Sequence, residues 1–283
     1  MKNVLFASTA LVLAAGVASA EIELAGDGSI KLENGGGKTF QYTTEVEFSV
    51  SGSVTTDSGM TFSASQTLNS AAGAVKVVAE MGGATITVKP NGLDSAADGL
   101  AGLNGVGFDL SADETGAGFQ EDVVDAQVAY DMGDVAATLG YDVKSETISL
   151  GLTTSIGGVD VELGYENDDS MGLRLGYTAG DLALGAVFTN NGTTDAWGVD
   201  AAYTAGDVTI SAVYSSDGTD NSYGLGVAYA MGDATVSAGF ADVTGTSQMD
   251  LGVAYDLGGA SLEASVTDNG TDTVSVVEIS FDF

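Results

Sequence analysis

Residues 202–214 read AYTAGDVTISAVY, and nearly the same phrase returns as AYDMGDVAATLGY at 129–141, GYTAGDLALGAVF at 176–188, AYAMGDATVSAGF at 228–240 and AYDLGGASLEASV at 254–266. Within it Val208, Ile210, Ala212 and Tyr214 alternate with Asp207, Thr209, Ser211 and Val213. A period of two puts the first set on one face of a strand and the second on the other, one face oily and one wet. Leu182, Leu184, Ala186 and Phe188 repeat the pattern, as do Ala234, Val236, Ala238 and Phe240. Near the start of the chain Phe40, Tyr42, Val46, Phe48 and Val50 alternate with Gln41, Thr43, Glu45, Glu47 and Ser49.

Between such strands stand turns containing glycine, at Asp57-Ser58-Gly59, Gly82-Gly83, Gly133, Gly157-Gly158, Gly180, Gly206, Gly232 and Gly258-Gly259. Tight hairpins demand positive φ, which glycine accepts at no steric cost. From Gly180 the turns recur every 26 residues, and more polar loops such as ENDDS (166–170), TNNGTTD (189–195), SSDGTDNS (215–222) and TDNGTD (267–272) fall between them. The reading is an all-β, antiparallel up-and-down meander. Eight short turns and nine longer connections predict eighteen strands.

The aromatic residues choose the surroundings of the oily face. Tyr130, Tyr177, Tyr203, Tyr229 and Tyr255 precede short turns, while Tyr141, Tyr165, Phe188, Tyr214 and Phe240 precede long loops. Two rows of rings at opposite strand ends are the girdles of a transmembrane barrel, where amphipathic rings sit at the two interfaces. A strand of about nine residues, rising roughly 3.3 Å each and tilted about 40°, spans roughly 23 Å, the height of such an apolar band. A soluble sandwich would not need rings at both rims. A barrel of this size encloses water rather than a packed core, so the lumen is expected to conduct.

The ends and the composition agree with that reading. MKNVLFASTALVLAAGVASAE begins with Lys2, an apolar run and Ala18-Ser19-Ala20, the form of a cleavable secretory signal. The expected division is therefore a signal peptide over 1–20 and a barrel over 21–283, with no later run of eighteen apolar residues that could be a membrane helix. The absence of cysteine fits a chain that needs no disulfides. The net charge of −33 makes nucleic acid a poor partner and cations a good one. With no histidine, the Ser-His-Asp triad, His-ligated zinc and His general-base catalysis all lack a required member, so an enzyme is not expected. The final VEISFDF places Val277, Ile279, Phe281 and Phe283 on the lipid side and Glu278, Ser280 and Asp282 inward.

One connection breaks the rhythm. Strand five is expected over Ala84–Lys89 and strand six over Val123–Tyr130, which leaves a loop near thirty residues, 91–120 in outline. Loops of that length in compact β proteins are functional or disordered. Leu93, Leu100, Leu103, Val106, Phe108, Leu110 and Phe119 argue that this one packs against the barrel wall.

The chain resembles a general bacterial porin of the alphaproteobacterial type. The resemblance rests on EIELAGDGSIKL (21–32), VTTDSGMTFSAS (54–65), the long loop after strand five, and AYDLGGASLEASVTDNGT (254–271) with VEISFDF (277–283). It implies an outer-membrane homotrimer of sixteen-stranded barrels, where the turn count reads eighteen. It also implies a terminal Phe283 read by the barrel assembly machinery, and a loop folded into the pore to make a charged constriction. Carried over, the loop acids are Asp94, Asp98, Asp109, Asp113 and Glu114, and the opposing wall bases are the inward Lys31, Lys76, Lys89 and Arg174. Small hydrophilic solutes would diffuse through, and the excess of acids predicts cation selectivity.

No cofactor is expected. The acidic loops around Asp217, Asp220 and Asn221, and around Asp268, Asn269 and Asp272, offer hard oxygens to Ca²⁺ but match no full calcium motif, and solvated loops are the preferred reading. The rival functions are a non-conducting barrel that displays surface loops, as an adhesin would, and an outer-membrane enzyme.

Overall fold

The computed structural model describes residues 20–68, 74–96, 123–167 and 170–283. The loop acids Asp98, Asp109, Asp113 and Glu114 and most of the signal segment therefore lie outside the described residues. Eighteen antiparallel strands form one sheet. They are β1 (Ala20–Gly35), β2 (Lys38–Thr55), β3 (Thr61–Leu68), β4 (Lys76–Met81), β5 (Ala84–Asp94), β6 (Val123–Asp131), β7 (Val135–Tyr141), β8 (Ile148–Ile156) and β9 (Val159–Glu166). The second half is β10 (Ser170–Ala179), β11 (Leu182–Asn191), β12 (Asp195–Ala205), β13 (Val208–Ser216), β14 (Asn221–Met231), β15 (Ala234–Val243), β16 (Thr246–Asp256), β17 (Ala260–Asp268) and β18 (Thr273–Asp282).

Each strand pairs with its neighbours in sequence, and β1 pairs with β18, so the sheet closes on itself. Closure matters because an edge in hydrocarbon would leave a row of backbone groups unsatisfied at several kcal/mol each. The eighteen strands agree with the turn count and correct the sixteen implied by resemblance. Strands spaced about 4.8 Å and tilted about 40° close to a backbone cylinder of roughly 18 Å radius, which leaves a wide lumen.

The refrain is a hairpin, as its spacing predicts. Gly180, Gly206 and Gly232 each have φ 61° and are followed by an Asp. A positive φ at the first central position alone is what a two-residue type II′ turn requires. The AYDMGD and AYDLGG versions use a different device in a longer turn: the carboxylates of Asp131 and Asp256 accept the amides of Gly133 and Gly258, both at 2.7 Å.

Burial is inverted relative to a water-soluble domain. Leu24, Tyr42, Leu225 and Leu251 are 69%, 76%, 59% and 60% exposed, while the largest fully buried side chains include Glu166, Thr189, Ser149 and Ser170. The sheet thus presents its apolar stripe outward and its polar stripe inward. Rings meet in the outer girdle, Trp197 against Tyr214 at 5.3 Å and Tyr223 against Phe240 at 6.4 Å.

The seam between the two ends of the chain has its own packing. The outward stripe of β1 reads Ile22, Leu24, Gly26, Gly28, Ile30 and Leu32, with a gap at the two glycines. Phe283 and Phe281 fill it, each placing ring carbons within 2.8 Å of where a Cβ on Gly26 or Gly28 would stand. Phe48 on β2 meets Phe283 edge-on at 5.5 Å.

Candidate conduction pathway

Strand five does not end at Lys89. The sequence Pro90-Asn91-Gly92 reads as a break, yet β5 resumes after a register shift between Val88 and Leu93 and runs on to pair Leu93 with Val124 and Asp94 with Val123. Proline lacks an N–H for the ladder, and the irregularity absorbs that loss. Asn91 takes φ 46° and donates its N–H to Asp125 Oδ1 at 2.7 Å, so a side chain supplies the bond the ladder lost there. Asp94 is therefore a strand residue rather than a loop one, and the connection starts at Ser95 instead of Asn91. Leu93 and Val124, 8% and 0% exposed, make a small apolar plug beneath this point.

The connection then turns into the lumen. Ser95 Oγ donates to Glu166 Oε1 on β9, and the amide of Ala96 donates to Ser149 Oγ on β8 at 2.9 Å. Ser149 and Glu166 both face inward, since they alternate with the outward Ile148, Leu150, Leu163 and Tyr165. The carbonyl of Ala96 lies 2.0 Å from where a Cβ on Gly151 would be, so the foot rests on bare backbone. Gly151, Gly164 and Gly172 stand side by side in register on β8, β9 and β10. Serine, glycine and one buried carboxylate thus form a landing for incoming main chain.

Two of the four wall bases stand apart and two are neighbours. Lys31 on β1 stands between Thr43 and Glu278 in register and pairs with Glu33 at 3.3 Å. Arg174 on β10 stands between Glu162 and Val187 and pairs with Glu162 at 3.5 Å. Lys76 on β4 faces Ser65 across the ladder, and the stem of Lys89 on β5 folds back over Gly92. Among the described residues neither Lys76 nor Lys89 forms an ion pair. Val77 faces Val88 on β4 and β5, so the next step of that ladder sets Lys76 opposite Lys89, and these two bases are neighbours while Lys31 and Arg174 stand alone. Inward carboxylates are more numerous, among them Glu45, Glu47, Asp250, Glu263 and Glu278.

Sequence reasoning missed Ser95, Ser149, Gly151 and Glu166. Gly151, Gly164 and Gly172 become neighbours only through the strand register, and the contact of Ser95 with Glu166 spans 71 residues and has no local trace.

In the outer loops, Asp217 Oδ1 accepts from the amides of Thr219 and Asp220 at 2.8 and 2.7 Å, which hold its carboxyl below the ordinary carboxylate value. Asn269 Oδ1 likewise accepts from Thr271 and Asp272. These oxygens cap their own turns.

A closed barrel with an aqueous, carboxylate-rich interior and a connection bent inward defines a diffusion channel of the outer membrane. The sequence profile of the Gram-negative porin family matches residues 7–274, and the chain belongs to that family. No curated protein matches it. Among solved structures, a variant of the Rh. blastica porin is 20% identical, with TM-score 0.61 over 93% of this chain and 100% of that one. A triple mutant of the Rhodopseudomonas blastica porin is 21% identical, with TM-score 0.60 over the same shares. A structure described as "Asymmetric conductivity of engineered proteins" is 22% identical, with TM-score 0.60 over 93% of this chain and 100% of that one. At these identities the likeness is one of fold. The chain is a general porin, a multi-pass β-barrel of the bacterial outer membrane, and its family is one of channels rather than enzymes.

Proposed function

We propose that this porin is a cation-preferring channel for passive diffusion of ions and small hydrophilic solutes. One observation carries the reading: the two ion pairs among the described residues, Lys31–Glu33 and Arg174–Glu162, each neutralise a lumen base while inward acids such as Glu263 and Glu278 keep their charge unpaired. A low-dielectric wall lined by one sign of charge concentrates the opposite ion in the pore. The reversal potential across a planar bilayer in a KCl gradient tests this. A cation-selective sign is expected, and an anion-selective one refutes the proposal.

The same reading includes a homotrimer, removal of residues 1–20 on export, and recognition of the Phe283 strand by the barrel assembly machinery. Grouped closures in single-channel records report the protomer number. Swelling of liposomes by sugars of graded size separates a channel from a barrel that only displays loops.

A further inference from the structure

The first five strands carry an inward polar row whose hydrogen-bond donors are not engaged among the described residues. On β2 and β3 serines stand against one another in register, Ser51 with Ser65 and Ser53 with Ser63. β1 brings Glu23 beside Ser51, and β4 brings Lys76 beside Ser65. One strand further, Val77 faces Val88, so Lys89 follows Lys76 along the row. Glu23, Ser51, Ser53, Ser63, Ser65 and Lys76 bound a concavity of about 370 Å³. Two residues nearer the turn, Thr55 and Thr61 bond to each other at 3.0 Å. The four serine hydroxyls are half-buried and make no such side-chain bond among the described residues, and neither lysine forms an ion pair there.

We infer that this row is a binding subsite for a small hydroxylated carboxylate, a sugar acid in chemical class, with the carboxylate on Lys76 beside Lys89 and the hydroxyls on the serines. The inference goes beyond free diffusion and rests on the reading that small solutes enter the lumen. Directly opposite residues of an antiparallel ladder have Cα atoms about 5 Å apart, so two like charges share one short stretch of wall. Such a pair destabilises a sheet, and an anion held beside it relieves the repulsion. A carboxylate accepts charge-assisted bonds from an ammonium, roughly twice as strong as neutral ones. Serine hydroxyls both donate and accept, as sugar hydroxyls do, so a chain of hydroxylated carbons lying across them is met in either sense. Glu23 stands three strand spacings from Lys76, about 14 Å. It accepts from a hydroxyl and repels a second carboxylate, which makes the ligand a monoacid. Lys31 and Arg174 offer no equivalent, because Glu33 and Glu162 already hold them.

Binding to the porin in lipid nanodiscs, read from the broadening of ligand NMR signals, tests this without any current. Gluconate is expected to bind at least about tenfold more tightly than sorbitol, which lacks the carboxylate, and than propanoate, which lacks the hydroxyls. K76Q/K89Q should bring gluconate down to the sorbitol level, and S51A/S63A/S65A to the propanoate level. K144Q, which removes a base in the connection between β7 and β8, should leave gluconate binding unchanged. Folding of each variant is checked by its band on cold gel electrophoresis, and sorbitol binding retained by K76Q/K89Q shows the serines intact. Equal binding of the three probes, or a gluconate preference that survives in K76Q/K89Q, overturns the subsite. Inorganic phosphate binding as tightly as gluconate would overturn the sugar-acid assignment, because it needs no chain of hydroxyls. An anion-selective reversal potential sinks the cation-preferring reading and leaves this binding untouched, whereas loss of the gluconate preference sinks the subsite alone.

Discussion

Phe283 and Gly26 exchange two backbone hydrogen bonds, at 2.7 and 2.8 Å, and the ring of Phe283 occupies the space that a side chain on Gly26 would need. The last residue of the chain therefore locks onto the first strand. Replacing Gly26 with Val puts a Cβ 2.7 Å from ring carbons and forces the ring off the seam. Overpacking of that kind costs about 1–3 kcal/mol. Urea unfolding of the lipid-embedded protein should show a loss in that range. Phe283→Ala, which removes the ring and its edge contact with Phe48, should lower stability and slow barrel closure, seen as persistence of the unfolded band on cold gel electrophoresis.

Glu166 anchors the foot of the connection after β5. Glu166→Ala leaves the buried Ser95 hydroxyl without its acceptor, at a cost of about 1–3 kcal/mol. The expected readout is a broader spread of single-channel conductance, because the chain entering the lumen is no longer held to β9. Glu166→Gln keeps an acceptor oxygen and should restore a narrow distribution. Equal broadening in both variants would refute the anchoring role.

Gly151 is the resting place of the Ala96 carbonyl. A Cβ there would stand 2.0 Å from a backbone oxygen, which has no flexible side chain with which to yield. Gly151→Ala should shift the foot and change the mean conductance. Gly164→Ala, one strand over in register, provides the comparison for a general loss of barrel stability.

The connection between β7 and β8 should loosen in acid. Asp142 Oδ1 accepts from the hydroxyl of Ser145 and from the amides of Ser145 and Lys144, bonds that hold its carboxyl below the ordinary value of 3.8. A carboxyl with a depressed folded value contributes stability that is complete above the ordinary value and is lost as pH falls through the lower one. Amide exchange at Lys144 and Ser145 should stay slow down to about pH 4 and accelerate below it. Asp142→Asn should remove most of that pH dependence.

Much of the fold was legible in local pattern. The refrain around Gly206 shows strand, turn and girdle because each of those depends on residues only a few positions apart. The end of β5 was not legible. Pro90, Asn91 and Gly92 are all turn formers, and only the partner strand β6 reveals that Leu93 and Asp94 rejoin the ladder. Gly26 and Gly28 interrupt the oily stripe of β1, and the rings that complete it come from more than 250 positions away.

The alternation of oily and wet residues by itself determined that the chain is a transmembrane barrel, because each strand must meet hydrocarbon on one face and water on the other. The tertiary structure alone decided which inward charges stand in the open. That depends on where β1 meets β18, on which wall receives Ser95 and Ala96, and on which base lies within reach of which acid. These are distances between strands remote in sequence, and a period of two carries no information about them.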